Sequence, residues 1–317
     1  MKWLLICLTC FCLPATAATD SNNLNATLSR IAKATAQLSY DGTFMYQHDG
    51  HVDISHIAHR IDSAGELAKL DILSGPPHAF VRVNDAVYCY IPNGNEVKVE
   101  RRQHHQFFPE LLPINTTSIT ENYTIKSLGT STIANRNSIG LNLLPNDGYR
   151  YAYQLWSDAE TGLLLKFIKL DGKLRDAGEF TFSQVDIGQA PERSQFQAGY
   201  LSKKAITIPS KEVETKSNWR VHKLPSGYLF IRENLRELPG KQHSVIHQVY
   251  GDGLSIVSIF IEPLEQVGNP PPTGLTSQGL MSLYAHQIGQ YQITALGEVP
   301  PATLMFMVEN LSQETAP

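Results

Sequence analysis

Cysteine is scarce in this chain, and most of it sits where it cannot build a scaffold. Of four cysteines in 317 residues, Cys7, Cys10 and Cys12 lie near the start, which leaves Cys89 alone in the remainder. An exported domain with one thiol has no internal disulfide and must rest on an ordinary core. Basic excess is lacking too. Lys and Arg number 26 against 30 Asp and Glu, for a net charge of -4. That balance argues against a nucleic-acid partner, which would need a basic face. No apolar run of roughly 18 residues is present, so no spanning helix is expected.

What is there begins with an export signal. Met1-Lys2 is a minimal positive start, Trp3 to Leu13 is apolar, and Ala15-Thr16-Ala17 offers small residues for cleavage after Ala17 or Ala18. The early cysteines raise the alternative of a lipoprotein, but none follows the usual Leu and small-residue pattern. Cys89 lies in the apolar run VYCYIP. A buried inert thiol is the plainer reading; a reactive thiol or an intermolecular bridge would need an activating cation beside it.

About 300 mature residues suggest two domains. Asn22 or Asn23 can cap a first helix, with Leu24, Leu28, Ile31, Thr35 and Leu38 at helical spacing. From Tyr40 the period is two. Thr43–His48 and His51–Ile61 read as a hairpin around Asp49-Gly50. Short strands follow at 67–73, 79–83, 86–91 and 96–101. Phe107 to Pro113 is an apolar interruption. Strands resume at 123–128 and 139–144, in a hairpin that starts at Tyr149, and at 177–187. Polar residues and isolated prolines then mark a linker. The resulting division is 1–18 signal, 19–190 large domain, 191–216 linker and 217–317 small domain. In the small domain, strands are expected at 219–224, 228–233, 243–250 and 254–262. Leu280, Leu283, Tyr284 and Ile288 space as a helix ending at Gly289, and 291–296 and 303–308 return to strand character.

The sequence carries no catalytic pattern. Gly251 to Ser255 lacks the glycine of a nucleophile elbow, and there is no phosphate loop, zinc-protease helix or calcium loop. An exported hydrolase with an unrecognised site is the reading this disfavours, and no cofactor is expected. His48, His51, His56 and His59 are the best metal candidates, yet His56 and His59 would point to opposite faces of a strand. Scattered strand-face histidines are the plainer account. His104-His105 beside Arg101-Arg102 reads as a solvated loop.

Apolar side chains recur along the first strands and the interruption: Phe44, Tyr46, Leu70, Ile72, Phe80, Tyr88, Tyr90, Phe107, Phe108, Leu111 and Leu112. Most would be core, but a meander that curls without closing can leave an apolar cleft. Lys98, Arg101 and Arg102 would then suit the head group of an acidic lipid.

Several motifs together resemble the MucB/RseB family. They are Tyr40-Asp41-Gly42-Thr43-Phe44, Ser74-Gly75-Pro76-Pro77, Val87 to Pro92, Phe108 to Pro113, the Tyr149 to Phe167 hairpin, Asp252-Gly253-Leu254 running into Ser258 to Glu262, and Gly297 to Pro300. The resemblance implies an α+β protein of the periplasm. Its large domain would be an unclosed, bent antiparallel sheet with helices on the concave side, like a lipoprotein carrier; its small domain would be a sheet with a helix. It further implies a non-enzymatic regulator that binds the periplasmic domain of an anti-sigma factor of the RseA or MucA type. The regulator would shield that factor from proteolysis and release it when lipid or lipopolysaccharide binds. The implied partner contacts are Tyr250, Asp252, Ser258, Phe260, Glu262 and Glu298. A periplasmic lipoprotein or lipid carrier is the alternative, and self-association is compatible with either.

Overall fold

A computed structural model describes residues 17–75, 78–84, 86–93, 96–102, 108–196, 204–208, 212–237, 243–264 and 272–314. Residues 1–16 of the expected export signal, His104-His105 and Phe107 lie outside the described residues, while Ala17 and Ala18 already belong to the first helix. Helix α1 (Ala17–Gln37) leads into β1 (Tyr40–His48), β2 (His51–Asp62), β3 (Gly65–Ile72), β4 (His78–Val83), β5 (Ala86–Asn93) and β6 (Glu96–Arg102). After α2 (Thr117–Asn122) come β7 (Tyr123–Ile133), β8 (Arg136–Pro145), β9 (Ala152–Asp158), β10 (Leu164–Leu170) and β11 (Asp176–Ile187). With β12 (Lys204–Ile208) these strands form one twelve-stranded sheet in the order β12-β6-β5-β4-β3-β2-β1-β11-β10-β9-β8-β7. All pairs are antiparallel except β12 with β6. Among the described residues, strands β7 and β12 stay unpaired with each other, so the sheet is unclosed.

Local chemistry explains the first hairpin. Asp49 and Gly50 have φ of 45° and 76°, the left-handed pair that a two-residue turn between twisted strands requires. Helix α1 lays Leu28, Ile31 and Ala32 on the concave face, against Tyr40, Phe44, Ile57, Leu70, Leu141, Tyr153, Phe167 and Phe182. Asn22 lies within α1 rather than at its start, since the helical turns run on from Ala17.

The small domain comprises β13 (Glu212–Glu214), β14 (Trp219–Val221), β15 (Leu229–Arg236), β16 (Val245–Gly251), β17 (Ile256–Pro263), β18 (Gly274–Gln278), β19 (Met281–Ile288), β20 (Tyr291–Gly297), α3 (Pro301–Glu309) and β21 (Leu311–Gln313). Seven strands form one sheet, ordered β13-β15-β16-β17-β20-β19-β18, and β14 pairs with β21. Val257, Ile259, Ile261, Ile293 and Ala295 on one sheet face meet Leu304, Met307 and Val308 of α3.

Two expected elements are exchanged. Residues 281–288 are strand, because β18 and β20 flank them and supply ladders on both sides. Residues 301–309 are helix instead of strand. A uniformly apolar run has no period of its own, and the helix-initiating Pro301 was the cue that mattered. The stretch expected as linker contributes β12 to the large sheet and β13 to the small one.

Gly42 lies at the centre of the large sheet, where a Cβ would stand 2.6 Å from the Gln184 carbonyl oxygen and 2.8 Å from the Phe182 ring. Gly42→Ala should therefore destabilise the large domain by about 1–3 kcal/mol through overpacking. A lowered urea midpoint with unchanged slope would establish this.

Candidate functional site

The register sorts the apolar candidates onto two faces. Paired residues share a face, so Phe44, Tyr46, Leu70, Ile72 and Phe80 stand together on the concave side with Cys89. Tyr88 and Tyr90 pair with Val81 and Ala79 on the opposite, convex side and so do not join the cluster. In strand β6, Lys98 and Arg102 stand opposite Ile91 and Val87, while Arg101 stands opposite Tyr88. Cys89 is buried, as the apolar run around it leads one to expect.

Residues 108–113 cap the concave face. Phe108 and Leu112 are buried in the large core, and Leu111 packs against it. The Phe108 ring lies 5.0 Å from Phe44, 5.5 Å from Phe180 and 4.9 Å from Phe182. Tyr46 stacks on Phe180 at 4.1 Å, and burial pushes its phenol up to about 12. The protein's own rings thus fill the concave face.

A half-buried charge cluster around the buried His59 fastens the cap, and no local sequence pattern marks it. Glu110 of the cap accepts from Arg82 on β4 at 2.6 Å, and the same guanidinium meets Glu66 on β3. His59 on β2 is fully buried; its Nδ1 donates to the Leu38 carbonyl at 2.7 Å, and its Nε2 lies 3.2 Å from Glu66 and 3.7 Å from Glu110. Tyr40 stacks on the imidazole at 4.7 Å. Burial raises the Glu110 carboxyl above its usual range. Burial also acts on Glu66, but His59 and Arg82 outweigh it and hold that carboxyl low.

Only His59 of the four expected histidines enters this cluster. His48 bonds Asp53 and His56 bonds Asp41 elsewhere on the sheet. His59, Glu66 and Glu110 offer ligand atoms within 4.8 Å of one another. Arg82 already supplies their countercharge, so the arrangement is a polar latch.

The second feature is the seam between the domains. Arg150 has no exposed side-chain surface; its Nε donates to Asp252 at 2.9 Å, and Asp252 is itself buried. Other nitrogens of Arg150 reach Asp147 and the Ser226 carbonyl, and its guanidinium lies over the Tyr228 ring at 5.1 Å. The second Asp252 oxygen accepts from the Leu254 and Ser255 amides at 3.0 and 2.8 Å. This shapes a turn that sets Leu254 against the large-domain core. Gly253, at φ +98°, lies under Pro113 of the cap, where a Cβ would stand 2.9 Å from the proline ring. Thr303 donates to the Tyr149 carbonyl at 2.8 Å, and Tyr149 packs on Phe306 at 5.0 Å. The strand expected from Tyr149 accordingly starts at Ala152, because residues 149–151 turn into the seam.

These contacts redistribute the expected partner residues. Asp252 belongs to the seam, Glu298 pairs with Lys169 of the large domain, and Tyr250 is buried with its hydroxyl on Gln248. Ser258, Phe260 and Glu262 alternate along one half-buried face of β17. His247 bonds the Ser258 hydroxyl at 3.0 Å and stacks on Phe260 at 4.3 Å.

Arg150→Ala would leave Asp252 buried without its cation, so a loss of about 3–5 kcal/mol is expected, with the domains separating in small-angle scattering. Burial, followed by repulsion from Arg236 and Arg232, lowers His247 from the ordinary 6.5 to about 4. The folded state prefers the neutral ring, so this contribution is complete above pH 6.5 and is lost as pH falls toward 4. His247→Gln should flatten the stability profile in that window, as urea unfolding at stepped pH would reveal.

Among known proteins, the MucB/RseB N-terminal domain family matches residues 23–200 and the MucB/RseB C-terminal domain family matches 213–312. The sigma factor AlgU regulatory protein MucB of Pseudomonas aeruginosa is 32% identical over 311 residues, covering 96% of this chain and 94% of that protein. The sigma-E factor regulatory protein RseB of Escherichia coli K12 is 24% identical over 290 residues, covering 90% and 89%. The solved complex of Pseudomonas aeruginosa MucA and MucB superposes with a TM-score of 0.75 at 28% identity, covering 93% of this chain and 100% of that one. Both domain families lie in order along one polypeptide, on the two sheets described above, and the chain belongs to the MucB/RseB family.

Proposed function

We propose that this chain is a periplasmic, non-enzymatic regulator that binds the periplasmic domain of an anti-sigma factor of the MucA or RseA type. It shields that factor from proteolysis and lets go when a lipid signal such as mislocalised lipopolysaccharide enters the large domain. The observation that carries the reading is the physical link between the two candidate sites. The cap segment covers the apolar concave face with Phe108 and Leu112, and its last residue, Pro113, rests on Gly253 of the small domain. A ligand that displaces the cap therefore also disturbs the turn that holds Asp252 to Arg150. Two occupancies joined through one element is what a coupled regulator requires. The solved MucA–MucB complexes support the partner class by relation.

In this reading Phe44, Leu70, Ile72 and Phe80 form the floor of the lipid site, with the cap as its lid. The head group falls to strand β6, which carries the basic positions Lys98, Arg101 and Arg102. Partner contact falls on the small domain, where Ser258, Phe260 and Glu262 share a half-buried face. A simple carrier would need the large sheet alone, and the seam to a second domain speaks for the switch.

The test is a pull-down of the signal-free protein with the anti-sigma factor's periplasmic domain, with and without lipopolysaccharide. Capture that lipopolysaccharide reverses is the expected result. Capture indifferent to lipid would remove the proposed signal, and lipid uptake with no capture would favour the carrier.

A further inference from the structure

Strand β15 has an open side. Along one edge it pairs with β16 over its length; along the other it meets β13 only at Asn234–Arg236. Beyond Glu214 the chain peels away, with the Thr215 amide donating to the Glu233 carbonyl at 3.2 Å and Ser217 turning to the Glu233 carboxylate. Residues 229–232 therefore face no strand on that side among the described residues. Their side chains are unusual as well. Leu229, Phe230 and Ile231 are 68%, 50% and 46% exposed in succession. The ladder to β16 shifts between Phe230 and Arg232, so Ile231 bulges out of register.

An open groove of about 800 Å³ runs beside this edge, with Val221, Leu224 and Tyr250 as its apolar wall. Lys216, Arg220 and Arg232 line it too, against Glu214 and Glu233. The Glu233 carboxylate is 2% exposed, accepts from Ser217 and Gln248, and lies 3.8 Å from the Arg220 guanidinium, whose side chain stays 38% exposed. The Arg232 Nε is buried with no hydrogen-bond partner among the described residues. The groove thus presents cations over an apolar floor.

An exposed edge with apolar side chains is a template for strand pairing, and proteins ordinarily blunt it with charge, proline or a covering element. Leu229–Ile231 carry none of the first two. An acyl chain has nothing to offer a row of unpaired N–H and C=O groups, whereas a peptide backbone completes them. We propose that residues 229–232 are a strand-addition site for an extended peptide segment that carries apolar and acidic side chains. Its backbone pairs with β15, its apolar side chains enter the groove, and its carboxylates meet Lys216, Arg220 and Arg232. Backbone pairing supplies affinity in this mode, and alternate side-chain pockets supply specificity. This deepens the regulator reading and rests on it: the occupant is a stretch of the anti-sigma factor's periplasmic domain.

The experiment is amide exchange on the full signal-free chain, free and saturated with a MucA-type periplasmic domain, beside affinities for Phe230→Asp, Ile231→Asp and Arg220→Glu. Binding should slow exchange at 229–232 and 215–217. Each Asp variant should weaken affinity about 10-fold or more, and Arg220→Glu should flatten the salt dependence of binding. Unchanged circular dichroism and thermal midpoint confirm that these surface variants fold. Tight binding with no protection at 229–232 and no effect of the Asp variants overturns this site and leaves the regulator reading intact. No binding by the wild-type chain overturns both. Protection at 229–232 by lipopolysaccharide micelles alone, or by a concentration-dependent dimer that Phe230→Asp abolishes, assigns another occupant and overturns the proposal.

Discussion

The buried pair of Arg150 and Asp252 is the constraint on which the two-domain arrangement depends. A guanidinium with no exposed surface must find its acceptors inside the protein, and here they come from both domains: Asp147 on one side, Asp252 and the Ser226 carbonyl on the other. Desolvation offsets much of the attraction, so such a pair adds little net stability. What it enforces is geometry. Any parting of the domains uncovers two charges at once, which makes partial opening costly and favours two discrete states. The same carboxylate, through its second oxygen, folds the turn that delivers Leu254 to the large core. Charge and packing at the seam are therefore one structure.

The concave face shows a similar pairing of charge with burial. The ladder that aligns Phe44, Leu70 and Phe80 also places His59 and Arg82 on that side, since side chains on neighbouring strands repeat with period two. A largely buried guanidinium would be intolerable there alone. Glu66 and Glu110 make Arg82 acceptable, and because Glu110 belongs to the cap, the cap becomes part of the charge balance. Removing the lid from the aromatic floor would also strip a carboxylate from Arg82.

Much of the fold was legible because it rests on local rules. Alternating side chains with Asp49-Gly50 between them give the first hairpin, and the short strands from Gly65 to Arg102 obey the same period. The failures have a physical pattern. Residues 280–288 and 303–308 carry ambiguous apolar spacing, and ladders from flanking strands decided the first while α-helical packing on a sheet decided the second. The site was harder to read. His59, Glu66, Arg82 and Glu110 are separated along the chain and ordinary in type, and only strand register brings them together. Arg150 looked like the polar half of an alternation. Asp252 was visible as a turn residue, but nothing local shows that its carboxylate faces another domain. The apolar list mixed two sheet faces because parity across the Asn84-Asp85 turn depends on pairing that the sequence does not state.

On the proposed reading, the energetics of release follow from what a lipid exchanges. A ligand shifts a conformational equilibrium only by its difference in affinity for the two states. Reversing a population from 1:99 to 99:1 takes about 5.5 kcal/mol. Acyl chains entering the concave face replace Phe108 and Leu112, which exchanges one apolar contact for another and yields a modest difference. The polar latch differs in kind, since its charges are either paired inside or left without partners when the cap departs. A head group that answers Arg82 in place of Glu110 would relieve that penalty, whereas a neutral amphiphile of equal tail length would not. Discrimination among lipids thus falls to the polar end of the ligand, and the apolar face sets only whether a chain can be held at all.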